Sequence, residues 1–350
     1  MRRQRGNSSV RDPFAGKIPV TIVTGFLGSG KTTLLNHLLA QPVLANTAVI
    51  VNEYGEQGVD HDLIRFAREK VQLLENGCVC CALRGDLQQA LRDLFLARRQ
   101  GEIGNFERVI LETTGLADPA PVLQTLLSDS MLLGQFRLNG VVTCVDAYHA
   151  LNQFETCAEA VKQAALADRV IITKTDQVDA ATLSAVTEKL MELAPLAEIA
   201  LGQHGVVETS FVTDIGLNDA RADAARIERW LGVPLQEHDS GHQPHSAAIK
   251  TFTLRFEQPF SARAFAQCIE VLTALRGADL LRVKGLINVV GESGPLVVQG
   301  VQHLFHPPVA LRSWPGSDQA SRLVFITRGI PREVIAGLFN AVTAVAALPP

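Results

Sequence analysis

The chain is short of positive charge for its size. Lys and Arg number 32 against 36 Asp and Glu, giving a formal net charge of −4 and a pI near 6.2, so no broad basic field is present to carry a nucleic-acid partner. Long apolar runs are also missing. The most apolar stretches, 141–145 and 341–348, fall well short of the roughly 20 residues that cross a bilayer, so no membrane partner is expected. The N-terminal arginines Arg2, Arg3, Arg5 and Arg11 are not followed by an apolar core, which excludes a secretory signal of ordinary form; residues 1–17 read as a disordered leader and the protein as cytoplasmic. Evenly spread cysteines are absent too. Three of the six fall at Cys78, Cys80 and Cys81, which argues against a secreted disulfide framework and for thiolate chemistry.

What is present is a 350-residue chain, 47% hydrophobic, long enough for one large or two ordinary globular cores. Residues 25–33 read Gly-Phe-Leu-Gly-Ser-Gly-Lys-Thr-Thr. The apolar run Ile18, Val20, Ile22, Val23 before them predicts a buried strand, and Leu34, Leu35, Leu38 and Leu39 after them an amphipathic helix. Strand, glycine loop and helix together form a phosphate cradle. Gly25, Gly28, Ser29 and Gly30 offer backbone N–H groups, Lys31 reaches phosphate oxygens, Thr32 suits a Mg²⁺ shell, and Thr33 continues the helix start. The expected ligand is a nucleoside triphosphate.

Short β-branched runs at 48–51, 71–74, 108–111, 140–145 and 169–173 alternate with helical patterns such as 86–99. This predicts an α/β fold, a P-loop domain with a mostly parallel sheet and its ligand loops at the strand C-terminal ends. The domain is expected over 18–234, followed by a polar, turn-rich linker over 235–247. Beyond it, Phe252, Leu254 and Phe256 alternate with polar residues, and a helix, three strand-like runs and a helix opened by Pro331 follow. That β-α-β-β-β-α order predicts a smaller α+β domain over 248–350.

Four further segments carry chemistry. Glu112 ends an apolar strand, where its carboxylate can hold a magnesium-bound water, and Gly115 just beyond allows a backbone amide near the γ-phosphate. Thr173-Lys174-Thr175-Asp176 follows another apolar strand, and Asp176 can accept from N1–H and N2–H₂ of guanine, a donor pair adenine lacks. Thr173 stands where an Asn is usual in such a loop; it keeps a hydroxyl and loses an amide. Three thiols in four positions cannot pair with one another without strain, and soft thiolates suit Zn²⁺, so metal binding is favoured over redox-active or merely buried cysteines. Glu53 and Glu56 lie in the loop after the second strand, where one carboxylate can face magnesium and the other a second metal. The remaining cysteines, Cys144, Cys157 and Cys268, read as core residues. His238, His242 and His245 read as solvated linker rather than an auxiliary metal site.

Residues 25–33, 52–56, 77–81, 112–115 and 173–176, in that order, resemble the CobW-type metallochaperones, P-loop GTPases similar to those that help insert nickel into urease and hydrogenase. Residues 284–286, 299–301, Trp314 and 321–323 are similar to the CobW-type C-terminal domain. The resemblance implies a GTPase whose nucleotide state controls capture and delivery of a metal ion, often Zn²⁺ and in some members Co²⁺ or iron, to a metal-dependent client protein. It also implies that Lys31 and Thr32 serve phosphates and Mg²⁺, that Glu112 and Gly115 sense the γ-phosphate, and that Lys174 and Asp176 hold guanine. Cys80, Cys81 and Glu56, with Cys78, are the implied ligands of the transported ion. Competing readings are a GTP-gated metal sensor or interaction module, cobalt handling for cobalamin synthesis, and a P-loop kinase or ATPase. Self-association is left open.

Overall fold

The computed structural model describes residues 16–52, 72–74, 83–217, 224–231 and 249–346. The first part is built on strands β1 (Ile18–Thr24), β2 (Thr47–Asn52), β3 (Gln72–Leu74), β4 (Arg108–Glu112), β5 (Phe136–Asp146), β6 (Arg169–Thr173) and β7 (Glu198–Leu201). They form one sheet in the order β3-β2-β4-β1-β5-β6-β7, and every pairing in it is parallel. Helices α1 (Lys31–Leu39), α2 (Leu83–Gln100), α3 (Pro119–Ser128), α4 (Ser130–Gln135), α5 (Ala150–Thr156), α6 (Ala158–Ala165), α7 (Ala180–Leu193), α8 (Ser210–Thr213) and α9 (Ala224–Leu231) accompany it.

The strands are apolar almost throughout because both faces are covered. In β1, Val20 and Ile22 meet Leu91 of α2 and Leu123 of α3 on one face. Val23, pointing the other way by the period of two, meets Leu34, Leu35 and Leu38 of α1. The interior β1 run is therefore a consequence of its central place, flanked by β4 and β5.

The second part is antiparallel. Strands β8 (Ile249–Phe256), β9 (Leu280–Ile287), β10 (Leu296–Val301), β11 (Leu304–Phe305) and β13 (Ser321–Arg328) lie in the order β11-β10-β9-β13-β8, with β12 (Val309–Ala310) on β10. Strands β10 and β11 are separated at Gln302, whose backbone is left-handed at φ 54°. Helices α10 (Ala262–Arg276) and α11 (Arg332–Ala346) cover one face, against Val283, Ile287, Leu323 and Phe325. The alternate residues face the parallel-sheet domain: Val324 and Ile326 join its core, and Leu286 and Val297 pack with Trp230. A sheet covered on both sides explains why β9 is buried at every position.

Charged groups cross the same interface. Asp168, just before β6, accepts two bonds from Arg282 Nη2 at 2.7 Å and pairs with Lys284 Nζ at 2.6 Å, and Arg282 Nη1 donates to Leu166 O at 2.8 Å. Burial alone would raise the Asp168 carboxyl; Arg282 and Lys284 more than reverse that and hold it below the usual carboxylate range. Among the described residues no helix is long and apolar enough to cross a membrane.

Candidate nucleotide and metal site

The sheet's C-terminal edge gathers the residues expected to bind nucleotide. β1 runs into the glycine loop and α1 begins at Lys31, with Gly30 as its cap. Gly25 has φ 141°, and a Cβ there would stand 2.3 Å from the Cys144 carbonyl oxygen of β5; only glycine lets the loop turn this tightly against the neighbouring strand. Lys31 Nζ donates to the carbonyls of Gly25 at 2.9 Å and Phe26 at 3.0 Å, inside the bend of the loop. Burial holds its pKa below the ordinary lysine value, and the nearby Glu112 carboxylate offsets only part of that. Gly28 is exposed on the outer rim of the loop, whereas Ser29 is buried.

Thr32 and Glu112 meet. The Thr32 hydroxyl donates to Glu112 Oε1 at 3.1 Å, across the gap between α1 and the tip of β4. Two oxygen donors of this kind at one sheet edge suit a hard divalent cation. Beyond Glu112, Thr113 is tied to β1 through Thr24 Oγ1 at 2.8 Å. Gly115 lies directly on the glycine loop, where an added Cβ would come 2.6 Å from Leu27 N. Three buried hydroxyls, Ser29 Oγ in the glycine loop, Thr114 Oγ1 beside Gly115 and Thr175 Oγ1 in the loop after β6, have no hydrogen-bond partner among the described residues. Buried hydroxyls without partners are costly, and donors left over in the loops at this sheet edge fit a ligand with many acceptor oxygens.

Thr173 does not face outward. It is buried, and its hydroxyl lies 2.8 Å from Ser29 O and 3.2 Å from Val145 O, bracing the glycine loop from the end of β6. Lys174 follows in the left-handed region at φ 55°; its ammonium bonds Asp146 Oδ2 at 2.7 Å. Asp176 is exposed at the loop rim, because the short turn after β6 carries it out past the strand ends.

Two residues on this edge escaped the sequence reading. Asp146 ends β5 as Glu112 ends β4, a carboxylate at the tip of an apolar strand, and that pattern was sufficient to find it. Its other oxygen accepts from Tyr148 N at 2.9 Å. Gln163 of α6 bonds the carbonyls of Gly115 and Ala117; a helical glutamine carries no such signal. The remaining cysteines divide. Cys144 is buried, its thiol pushed up to about 12 by burial, and Cys268 is buried and pushed up to about 11, so both stay protonated core residues. Cys157 is a correction: it is half-buried at the junction of α5 and α6, since a residue between two helix ends has no continuous face to bury.

Glu53, Glu56, Cys78, Cys80 and Cys81, and the linker histidines His238, His242 and His245, lie outside the described residues, as does most of the leader. The strands that carry the loops holding Glu56 and the three thiols are described. Asn52 at the end of β2 pairs in register with Leu74 at the end of β3, and Val51 pairs with Glu112. The ends of β2 and β3 therefore lie side by side, about 10 Å or less from Glu112 at the ordinary strand spacing. Among the described residues no three His, Cys, Asp or Glu side chains group to hold a metal.

The family model described as CobW/HypB/UreG, nucleotide-binding domain, matches residues 19–200, more than half the chain. The chain belongs to this family. A second model, the cobalamin synthesis protein cobW C-terminal domain, matches residues 249–343, so this CobW/HypB/UreG member also carries the cobW C-terminal domain. It is 34% identical to the zinc chaperone YjiA of Escherichia coli over 92% of this chain and 98% of that protein. It is 31% identical to the zinc chaperone CobW of Pseudomonas aeruginosa over 94% and 92%. The structure of the Zn(II)-bound YjiA GTPase from E. coli superimposes with a TM-score of 0.70 at 28% identity, covering 93% of this chain and 99% of that one.

Proposed function

We propose that this CobW/HypB/UreG member hydrolyses GTP to GDP and phosphate and uses its nucleotide state to govern capture and delivery of a metal ion, Zn²⁺ foremost, to a client protein. One observation carries the reading: the strand ends that launch the Glu56 loop and the three-thiol loop are registered side by side and next to Glu112. Two ligands bound along one sheet edge, sharing the segment between Asn52 and Cys81, change each other's affinity by a reciprocal coupling free energy. The names of the similar proteins, zinc chaperones in two bacteria, support Zn²⁺ over Co²⁺ as the cargo.

In this reading the backbone of the glycine loop and Lys31 hold the phosphates, and Thr32 and Glu112 hold Mg²⁺, which would neutralise charge developing on the phosphate oxygens. Gly115 offers its amide to the terminal phosphate from its seat on Leu27. Thr173 braces the cradle, Lys174 is anchored by Asp146, and Asp176 at the rim reads guanine. Glu56, Cys78, Cys80 and Cys81 supply carboxylate and thiolate to the transported ion, a donor set suited to Zn²⁺. Nothing covalent is needed: water attacks the γ-phosphate, and catalysis is positioning and charge stabilisation.

The test is Zn²⁺ affinity of the reduced protein with and without GTP, for the natural chain and a Cys80→Ala, Cys81→Ala variant. GTP is expected to tighten Zn²⁺ binding by about tenfold, the scale of ordinary coupling, and the variant to lose that coupling while keeping GTP. Zn²⁺ affinity indifferent to both GTP and the two thiols would leave a GTP-gated interaction module in its place.

A further inference from the structure

The loop that follows Glu112 is held from an unexpected side. Gln163, buried in α6 at 1% exposure, aims its carboxamide at that loop: Nε2 donates to Gly115 O at 3.1 Å and to Ala117 O at 2.9 Å. The residue before it, Lys162, pairs with the Asp118 carboxylate, which itself caps α3 through Ala120 N at 2.9 Å. Two consecutive residues of α6 thus grip the loop at Gly115, Ala117 and Asp118. The grip is specific in chemistry, because two buried carbonyls that point at one spot need a group with two N–H donors, and a carboxamide is the uncharged side chain that has them. Gln163 is itself held. Thr143 of β5 donates to its backbone carbonyl at 2.8 Å, and among the described residues its Oε1 has no partner, so it is the two Nε2 donors that aim the side chain at the loop.

We propose that Gln163 is a positioning residue for phosphoryl transfer: by holding the Gly115 and Ala117 carbonyls it sets the Gly115 amide against the terminal phosphate. This rests on the GTPase reading above. The same short stretch is anchored at its far end by the C-terminal domain, where Leu166 O and the Asp168 carboxylate receive Arg282. The helix that grips the phosphate loop is therefore seated on the other domain three residues further on.

The experiment compares Gln163→Met, close in shape but without donors, and Gln163→Glu, which turns acceptor oxygens on the two carbonyls, with Thr143→Val, which removes the bond to the Gln163 backbone and leaves the carboxamide alone. Single-turnover GTP hydrolysis is measured with the affinities for GDP and for a non-hydrolysable GTP analogue. Both Gln163 variants should slow hydrolysis roughly ten- to hundredfold, the range expected of a small misplacement, and lose the preference for the GTP analogue while binding GDP normally. Thr143→Val should lower the melting temperature and keep the natural rate and preference. The proposal is overturned if Gln163→Met hydrolyses GTP at the natural rate, or if it loses GDP and GTP affinity, or its fold, in the same proportion. A natural chain that fails to hydrolyse GTP would overturn the GTPase reading instead.

Discussion

Replacing Asp168 by Ala should loosen the C-terminal domain from the parallel sheet, and the structure sets the size of the effect. Arg282 and Lys284 are each 3% exposed where they meet this carboxylate. Without it two cations stay buried, and Val141 N loses an acceptor that now stands at 2.8 Å. Removing one member of a buried ionic group costs about 3–5 kcal/mol. Arg282 keeps Leu166 O and Lys284 keeps Trp230 O at 2.8 Å, which places the expected loss near 3 kcal/mol, a large share of the 5–15 kcal/mol that typically holds a domain together. Urea unfolding followed by Trp230 fluorescence in a Trp314→Phe background reads the interface directly, since Lys284 Nζ lies 5.4 Å from the Trp230 ring. A triple replacement, Asp168→Leu with Arg282→Met and Lys284→Met, should recover only part of the loss, because the apolar trio carries no unpaired charge but leaves Leu166 O, Trp230 O and Val141 N without their partners. The pH dependence has a definite sign. The folded Asp168 pKa lies below its unfolded value, so its contribution is complete above the unfolded pKa of about 3.9 and disappears as pH falls through the folded one; the gap between the natural chain and Asp168→Ala should close below about pH 4. A loss under about 1 kcal/mol at neutral pH would refute the reasoning and reduce the cluster to a surface-like pair.

Other perturbations follow from the cradle. Gly115→Ala would drive a Cβ to 2.6 Å from Leu27 N, a backbone contact that cannot yield; GTP hydrolysis should fall at least about tenfold with GDP affinity little changed, as read by single-turnover assay and fluorescent GDP titration. Thr173→Val keeps shape but leaves Ser29 O and Val145 O without their donor; at about 1 kcal/mol for such a bond, GTP and GDP affinity should both drop about fivefold, and a drop confined to GTP would argue against a bracing role. Asp176→Asn replaces an acceptor with a group that also presents donors to the guanine N1–H and N2–H₂, so the preference for GTP over ATP in competition binding should collapse while phosphate contacts persist.

Much of this was legible beforehand because it is local. The glycine loop, its strand and its helix occupy consecutive residues, and the boundaries of β6 came out residue for residue from Arg169 to Thr173 because an uninterrupted apolar run between turn residues admits one reading. Glu112 was visible as a carboxylate at a strand tip. Asp146 is the same pattern one strand over, a carboxylate that ends an apolar run. The bracing role of Thr173 has no local signature, since its partner Ser29 is 144 residues away, a distance no motif spans.

The sequence by itself determined the alternation of strands and helices, the phosphate cradle and the kind of chemistry its edge supports, since periodicity and turn residues act within a few positions. Only the tertiary structure decided that the central strands of the C-terminal sheet are buried on both faces, that Asp168 meets Arg282 and Lys284, and that Gln163 holds the Gly115 loop. Those contacts join segments far apart in the chain, and their energies arise from burial and donor geometry that exist only once the two sheets have packed.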